Sequence, residues 1–225
     1  MGGIGDKSHP MEADPNLPEP SFAPDDARLA ALRHRFRNQT QTMTSLLGLF
    51  GRRLPAGPCR VAFEDMRIRF EAAAFDPFPD ADPTDLGPRP ADLAAFAKRA
   101  LAMLDPDFVH RVSIEGDQVR AAPRRACALA QIIAELLICL VREGFAGRVG
   151  SGRVTISASG DGETHILVLQ TDGSAGGRPI KPSEATELGL QLASSLVRSL
   201  GGRLSIEAAG PFRAEATIPS EPQER

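Results

Sequence analysis

Residues 25–54 read D-D-A-R-L-A-A-L-R-H-R-F-R-N-Q-T-Q-T-M-T-S-L-L-G-L-F-G-R-R-L, a proline-free run closed by Pro55-Ala56-Gly57-Pro58. Asp25 and Asp26 are good caps for the free N–H groups of a first helical turn, so the run predicts one long helix. Its apolar residues Leu29, Leu32, Phe36, Met43, Leu47 and Phe50 recur at steps of 3, 4, 7, 4 and 3. That is a heptad-like stripe, ~32 Å long at about 1.5 Å per residue. Beyond the breaker, residues 61–75 carry a second apolar series, Val61, Met66, Ile68, Phe70 and Ala74, which the proline-rich stretch up to Pro90 ends. Together the two segments predict an antiparallel helical hairpin over 25–76. Two helices cannot enclose such a seam, and a second copy of the chain completes it as a four-helix bundle, so a homodimer is expected.

Outward from the hairpin, the chain divides by composition. Residues 1–24 are rich in glycine and proline and poor in apolar side chains, too little to offset the entropy of ordering, and are expected to be a disordered tail. No sensor domain is expected there. Residues 77–90 read as a linker and 220–225 as a second tail. Between them, 91–219 alternates helices (91–104, 124–145, 188–200) with strands (109–114, 153–159, 165–171, 203–208, 213–218). An α+β organisation follows: the helical hairpin, then an α/β sandwich of mostly antiparallel strands with helices on one face.

Several classes are excluded. With 26 basic and 29 acidic side chains and a net charge of -3, nothing in the global electrostatics calls for nucleic acid or an anionic lipid surface. No run reaches the ~18 apolar residues of a membrane span and no leader pattern opens the chain, so a cytoplasmic protein is expected. Cys59, Cys127 and Cys139 are widely spaced, and His9, His34, His110 and His165 pair with none of them at metal-ligand spacing, so no metal site is expected.

The chemistry concentrates on the first helix. His34, Asn38, Gln41 and Ser45 are related by i, i+4, i+7 and i+11 and form one polar stripe beside the apolar seam. A neutral imidazole exposed there is a competent nucleophile toward phosphoryl groups, and Arg35 and Arg37 are placed to stabilise transferred charge.

Residues 34–49 resemble the phosphoacceptor box of the HWE/HisKA-like histidine kinases, roughly H-R-x-K-N-x-x-Q-x-x-x-S-L-L, with His34, Arg35, Asn38, Gln41 and Ser45 matching position for position. The resemblance implies that His34 is the phosphorylated residue of a dimerisation and histidine phosphotransfer domain. Ala31 stands where the group often has an acid three residues before the histidine. The second half is similar to the same family's catalytic domain, of the GHKL (Bergerat) ATPase type. Residues 187–204, E-L-G-L-Q-L-A-S-S-L-V-R-S-L-G-G-R-L, resemble the segment after the ATP lid, where Gly189 would offer N–H groups to a phosphate at a helix start.

The departures are as informative. The N box, N-E-L-x-x-N-A-x-K-H in the family, aligns with 134–143, A-E-L-L-I-C-L-V-R-E, so Glu135 remains but Ala134 and Cys139 replace both asparagines. A thiol is a poor substitute for the amide oxygen that a hard Mg²⁺ prefers. The D-x-G-x-G box appears as Thr171-Asp172-Gly173-Ser174-Ala175, with Thr171 in the aspartate slot. A one-residue slip lets Asp172 serve but puts Ser174 on a glycine position. These features imply a degenerate nucleotide site around Glu135, Cys139, Asp172, Gly173 and Gly189, with no cofactor.

The function expected is histidine phosphotransfer in a two-component phosphorelay, a phosphoryl group passing between His34 and the aspartates of response-regulator receiver domains, with a hybrid histidine kinase as a further partner. Two alternatives stay open: a soluble autophosphorylating kinase using ATP and Mg²⁺, and a non-catalytic module that binds a kinase or response regulator.

Overall fold

The structure, a computed structural model, describes residues 23–76, 87–106, 111–116, 118–145, 150–158, 164–171, 182–207 and 211–220. Of the expected tails, 1–24 and 220–225, only residues 23, 24 and 220 lie among them, and Ala23 and Pro24 open a helix rather than belonging to a tail. Most of the expected linker lies outside them, as do His9, His110, Asp172 and Gly173.

Helix α1 (Ala23–Arg53) and helix α2 (Pro58–Ala73) form the hairpin. Gly57 makes the turn: it caps α2 with φ +152°, a conformation only glycine enters without strain, and Pro58 follows at the first helical position. Gly48 and Gly51 are buried on the α2-facing side of α1, where the Arg67 guanidinium and Phe63 lie against them. The apolar stripe of α1 is not covered by its own hairpin. Leu32, Met43 and Phe50 are exposed, and Phe36 is 62% exposed.

After the hairpin come strand β1 (Arg89–Ala91), helix α3 (Leu93–Leu104), strands β2 (Arg111–Gly116) and β3 (Val119–Ala121), helix α4 (Pro123–Cys139), strands β4 (Ser151–Ala158) and β5 (Thr164–Thr171), helix α5 (Glu184–Ser199), and strands β6 (Arg203–Glu207) and β7 (Arg213–Pro219). Five strands form one sheet in the order β2-β4-β5-β7-β6. The burial of β5 alternates strictly, with His165, Leu167, Leu169 and Thr171 inward, so one face of the sheet meets the helices. The core between them is led by α4, whose Leu129, Ile132, Ile133, Leu136, Leu137 and Ile138 are all buried. A helix apolar on every side is one enclosed on every side. It contacts α2, α3, α5 and the sheet.

Three details differ from the sequence expectation. Strands β2 and β4 pair in parallel, Arg111 opposite Ser151, because the chain between them crosses over through β3 and α4. Residues 89–91 and 119–121, too short for an alternating pattern, form a separate two-stranded antiparallel sheet, so the last linker residues are ordered. The helix expected at 124–145 runs as α helix to Cys139 and continues as a π-helical turn, Leu140–Gly144.

Candidate functional site

At about 100° per residue, the stripe of Leu32, Phe36, Met43 and Phe50 falls ~160–200° from His34, so the polar stripe lies across α1 from the apolar seam rather than beside it. Covering the stripe therefore leaves the histidine open. His34, Arg35, Asn38, Gln41 and Ser45 are all exposed, as the spacing predicts. A shallow groove extends from His34 round the helix through Asn38, Thr42 and Leu46 to Met43 of the apolar stripe, with a second one past Gln41, Ser45 and Leu49. The Asn38 amide nitrogen Nδ2 lies 3.3 Å from His34 Nδ1, placed to donate to that ring nitrogen when it is unprotonated.

Arg37 sits three residues on, turned about 60° from His34 toward α2. Its Nη2 donates to Asp76 Oδ2 at 2.5 Å, just beyond the C-terminal end of α2. Neither Asp76 nor the acids of α2 stood out in the sequence, because a contact between residues 39 positions apart has no local signature.

The segment that aligns with the N box is occupied by contacts within the chain. Glu135 is 3% exposed and receives a bidentate pair from Arg69 of α2, Nε to Oε1 at 2.8 Å and Nη2 to Oε2 at 2.9 Å. Those bonds hold the Arg69 guanidinium more firmly protonated than usual. One turn on, Cys139 is fully buried, and burial, reinforced by the charge of Glu143, pushes its thiol up to about 12. It remains a neutral thiol, with no affinity for Mg²⁺. Arg142, in the lysine slot, bonds Asp65 Oδ1 from Nη2 at 2.8 Å and Glu64 Oε2 at 3.2 Å. Burial holds the Asp65 carboxyl above its ordinary range against the opposing pull of Arg142. Glu143, in the histidine slot, reaches the start of α5, where Oε1 accepts from the Ser183 N–H and the Thr186 hydroxyl, each at 3.0 Å. A helix N-terminus is where a phosphate would be welcome, and here a carboxylate from the same chain holds it.

The other nucleotide-site residues are equally committed. Thr171, in the aspartate slot, is buried and closes the β5–β7 ladder, its Oγ1 accepting from the Phe212 N–H at 3.0 Å while its own N–H donates to the Phe212 carbonyl at 2.9 Å. Helix α5 starts earlier than the apolar pattern indicated, because Ser183 caps it. Gly189 is therefore inside the helix rather than at its start. Its lack of a side chain serves packing: a Cβ there would run into the Glu135 carboxylate and come within 3.1 Å of Arg69 Nη2. Among the described residues no cluster of histidine, cysteine and acidic side chains could hold a metal ion, and no helix is long and apolar enough to cross a membrane. The residues that sequence reasoning missed are Arg69, Asp65 and Glu64 on α2 and Ser183 and Thr186 on α5; the only trace of them was the charge in the altered N box.

No protein-family model matches this sequence, and no curated protein matches it. Solved structures do. The histidine kinase domain of a blue-light activated histidine kinase from Erythrobacter litoralis is similar over 87% of this chain and 94% of that one, at 17% identity and a TM-score of 0.54. A structure of the blue-light activated kinase itself is similar over 88% of this chain and 61% of that one, at 22% identity and a TM-score of 0.55. The hairpin and the five-stranded sandwich together have the fold of a histidine kinase domain.

Proposed function

We propose that this chain is a histidine phosphotransfer protein related to the HWE/HisKA-like kinases, which carries a phosphoryl group on His34 and exchanges it with receiver-domain aspartates without using ATP. The strongest support is the contrast between the two halves. The acceptor stripe is open to a partner, whereas the residues aligned with the N box are spent on Arg69, Asp65, Glu64, Ser183 and Thr186.

With Nδ1 engaged by Asn38, Nε2 is the nitrogen left to react. Attack requires the neutral ring to carry its proton on Nδ1, which the Asn38 amide supports once it is turned over so that its oxygen accepts Nδ1–H and Nε2 holds the free lone pair. It attacks phosphorus, the bond from phosphorus to the aspartyl oxygen breaks, the carboxylate leaves, and the phosphorylated imidazolium gives up its Nδ1 proton to solvent. The receiver supplies its own acidic pocket and Mg²⁺, so the chain's task is to present the imidazole in line. Arg35 and Gln41 border the same surface. The reverse transfer uses the same atoms.

Two incubations test this: one with a phosphorylated receiver carrying a labelled phosphoryl group, one with labelled Mg²⁺-ATP. Label should move from the receiver and not from ATP. Calorimetry should find no saturable heat with millimolar Mg²⁺-ATP, because the metal-bridging amide and the adenine-reading carboxylate are both replaced, and two such polar interactions at about 1–3 kcal/mol each separate tight from negligible binding. A micromolar dissociation constant and label from ATP would establish the autokinase instead. Binding to a receiver without any transfer would establish the interaction module.

The same proposal includes a homodimer through the exposed stripe of α1. Replacing Phe36 and Met43 together by glutamate should give monomers with unchanged helix content, since neither side chain is needed by the single hairpin. Light scattering that finds the unmodified protein monomeric at micromolar concentration would sink the bundle.

A further inference from the structure

The geometry points to the Arg37–Asp76 pair as a latch that is held shut by Asp76 while His34 is bare and is opened by a phosphoryl group on His34. This inference rests on His34 being the phosphoacceptor, and adds a second state to it.

Arg37 stands between two anionic positions. On one side is the Asp76 carboxylate, bonded to Nη2 at 2.5 Å. On the other, one helical turn back, is His34, and side chains at i and i+3 are neighbours on a helix surface. A phosphohistidine places a charge near −2 and three acceptor oxygens there, against the single charge of Asp76. Guanidinium binds such a group bidentately, and the existing pair is partly exposed, with side chains 31% and 23% accessible, so water has already weakened it. The competition favours the phosphoryl group. Asp76 directly follows Phe75, whose ring packs on Phe96 of α3 with centroids 5.1 Å apart. Loss of the Arg37 bond therefore removes one of the contacts that position Asp76 and alters the chain at the junction between hairpin and sandwich. The state of His34 becomes legible at α3 with no movement of α1 itself.

The test uses the full chain and phosphoramidate, a small donor that phosphorylates exposed imidazoles without any receiver: its P–N bond breaks as the Nε2–P bond forms, and ammonia leaves. In ¹⁵N-labelled protein the Arg37 Nε–H resonance should shift on phosphorylation. In Asp76→Asn the phosphohistidine should outlive that of the wild type by about 2- to 5-fold after the donor is removed, because the competing carboxylate is gone. In Arg37→Ala it should be shorter-lived by a similar factor, and Arg37→Lys should recover part of the loss. The diagnostic result is epistasis: Asp76→Asn should change nothing in an Arg37→Ala background, since both act through one cation. Independent effects of the two substitutions, or an Arg37 resonance that ignores phosphorylation, would overturn the latch while leaving phosphotransfer intact. An Arg37 shift with phosphoramidate in a protein that no receiver phosphorylates would do the reverse. Failure of phosphoramidate to modify His34 overturns both.

Discussion

His34→Ala should take no acid-labile phosphoryl group from a phosphorylated receiver, whereas the wild type is labelled within the same incubation. The expected effect is loss to background, because no other described histidine can replace it. His165 is 3% exposed in the middle strand of the sheet, paired with Ala158 on one side and Ile218 on the other, out of reach of any receiver pocket. A phosphoryl transfer needs the attacking nitrogen within ~3–3.5 Å of phosphorus and in line with the leaving oxygen, and a buried strand residue cannot meet that requirement. The variant should fold normally. His34 is exposed on α1 and its described side-chain contact is the 3.3 Å approach of Asn38, so truncation exposes no core and opens no cavity. Circular dichroism and dimer content unchanged from wild type, with transfer abolished, is the outcome that assigns the chemistry to this imidazole. Label on the His34→Ala chain, or none on the wild type with any receiver offered, removes the phosphotransfer reading.

How much of this was legible in the sequence depends on the range of the interaction involved. The hairpin could be read because its signals are local: a long run without proline, a heptad-like stripe and a Pro-Ala-Gly-Pro turn; the start was placed late, since α1 begins at Ala23 and puts Asp25 and Asp26 inside its first turn rather than at its cap. The polar stripe of His34, Asn38, Gln41 and Ser45 could be read for the same reason, since helical spacing alone puts these residues on one flank, and all four are exposed there. Strand identity was accessible through period-2 alternation, most clearly in β5, but pairing direction was not. The parallel β2–β4 pair is set by a crossover that no strand encodes by itself. The start of α5 was placed late because Ser183 and Glu184 carry no apolar signal, although a serine followed by acids is a capping pattern. The partners of the altered N box were out of reach. Arg69 and Glu135 are 66 positions apart, and Arg142 and Asp65 are 77, so only the fold brings them together. The replacement of two asparagines in a recognisable box could be read from the residues alone; the ion pairs that surround the replacements could not.

Arg69→Met should lower the free energy of unfolding by about 3–5 kcal/mol, a large effect for a side chain that is a third exposed. The reason is what it leaves behind. Glu135 has a side chain only 2% accessible, and in the wild type both its oxygens are bonded by one guanidinium. Without Arg69 the carboxylate is stranded in the packed region between α4 and Gly189 of α5, where a glycine is already required to make room for it. With a side chain only 2% accessible, the carboxylate is poorly hydrated where it stands, so the desolvation cost falls on the fold. Glu135→Met alone should cost less, since Arg69 is a third exposed and can turn its guanidinium to solvent. The two together should recover most of the loss, to within ~1 kcal/mol of wild type, because replacing a buried ion pair by apolar side chains of similar volume is often close to neutral. Urea unfolding measures all three, and the double-mutant cycle isolates the pair from the packing of each side chain. A second readout separates a lock between hairpin and sandwich from simple core damage. Because α2 is fixed to α4 by Arg69 on Glu135 and to the π-helical turn after α4 by Arg142 on Asp65, the amides of α2 around Ile68 and Ala72 should exchange together with the sandwich core in the wild type. In Arg69→Met they should exchange ahead of it. An Arg69→Met protein that loses less than about 1 kcal/mol, with α2 still protected like α4, would mean that the buried pair contributes little and that apolar packing alone holds the two halves together.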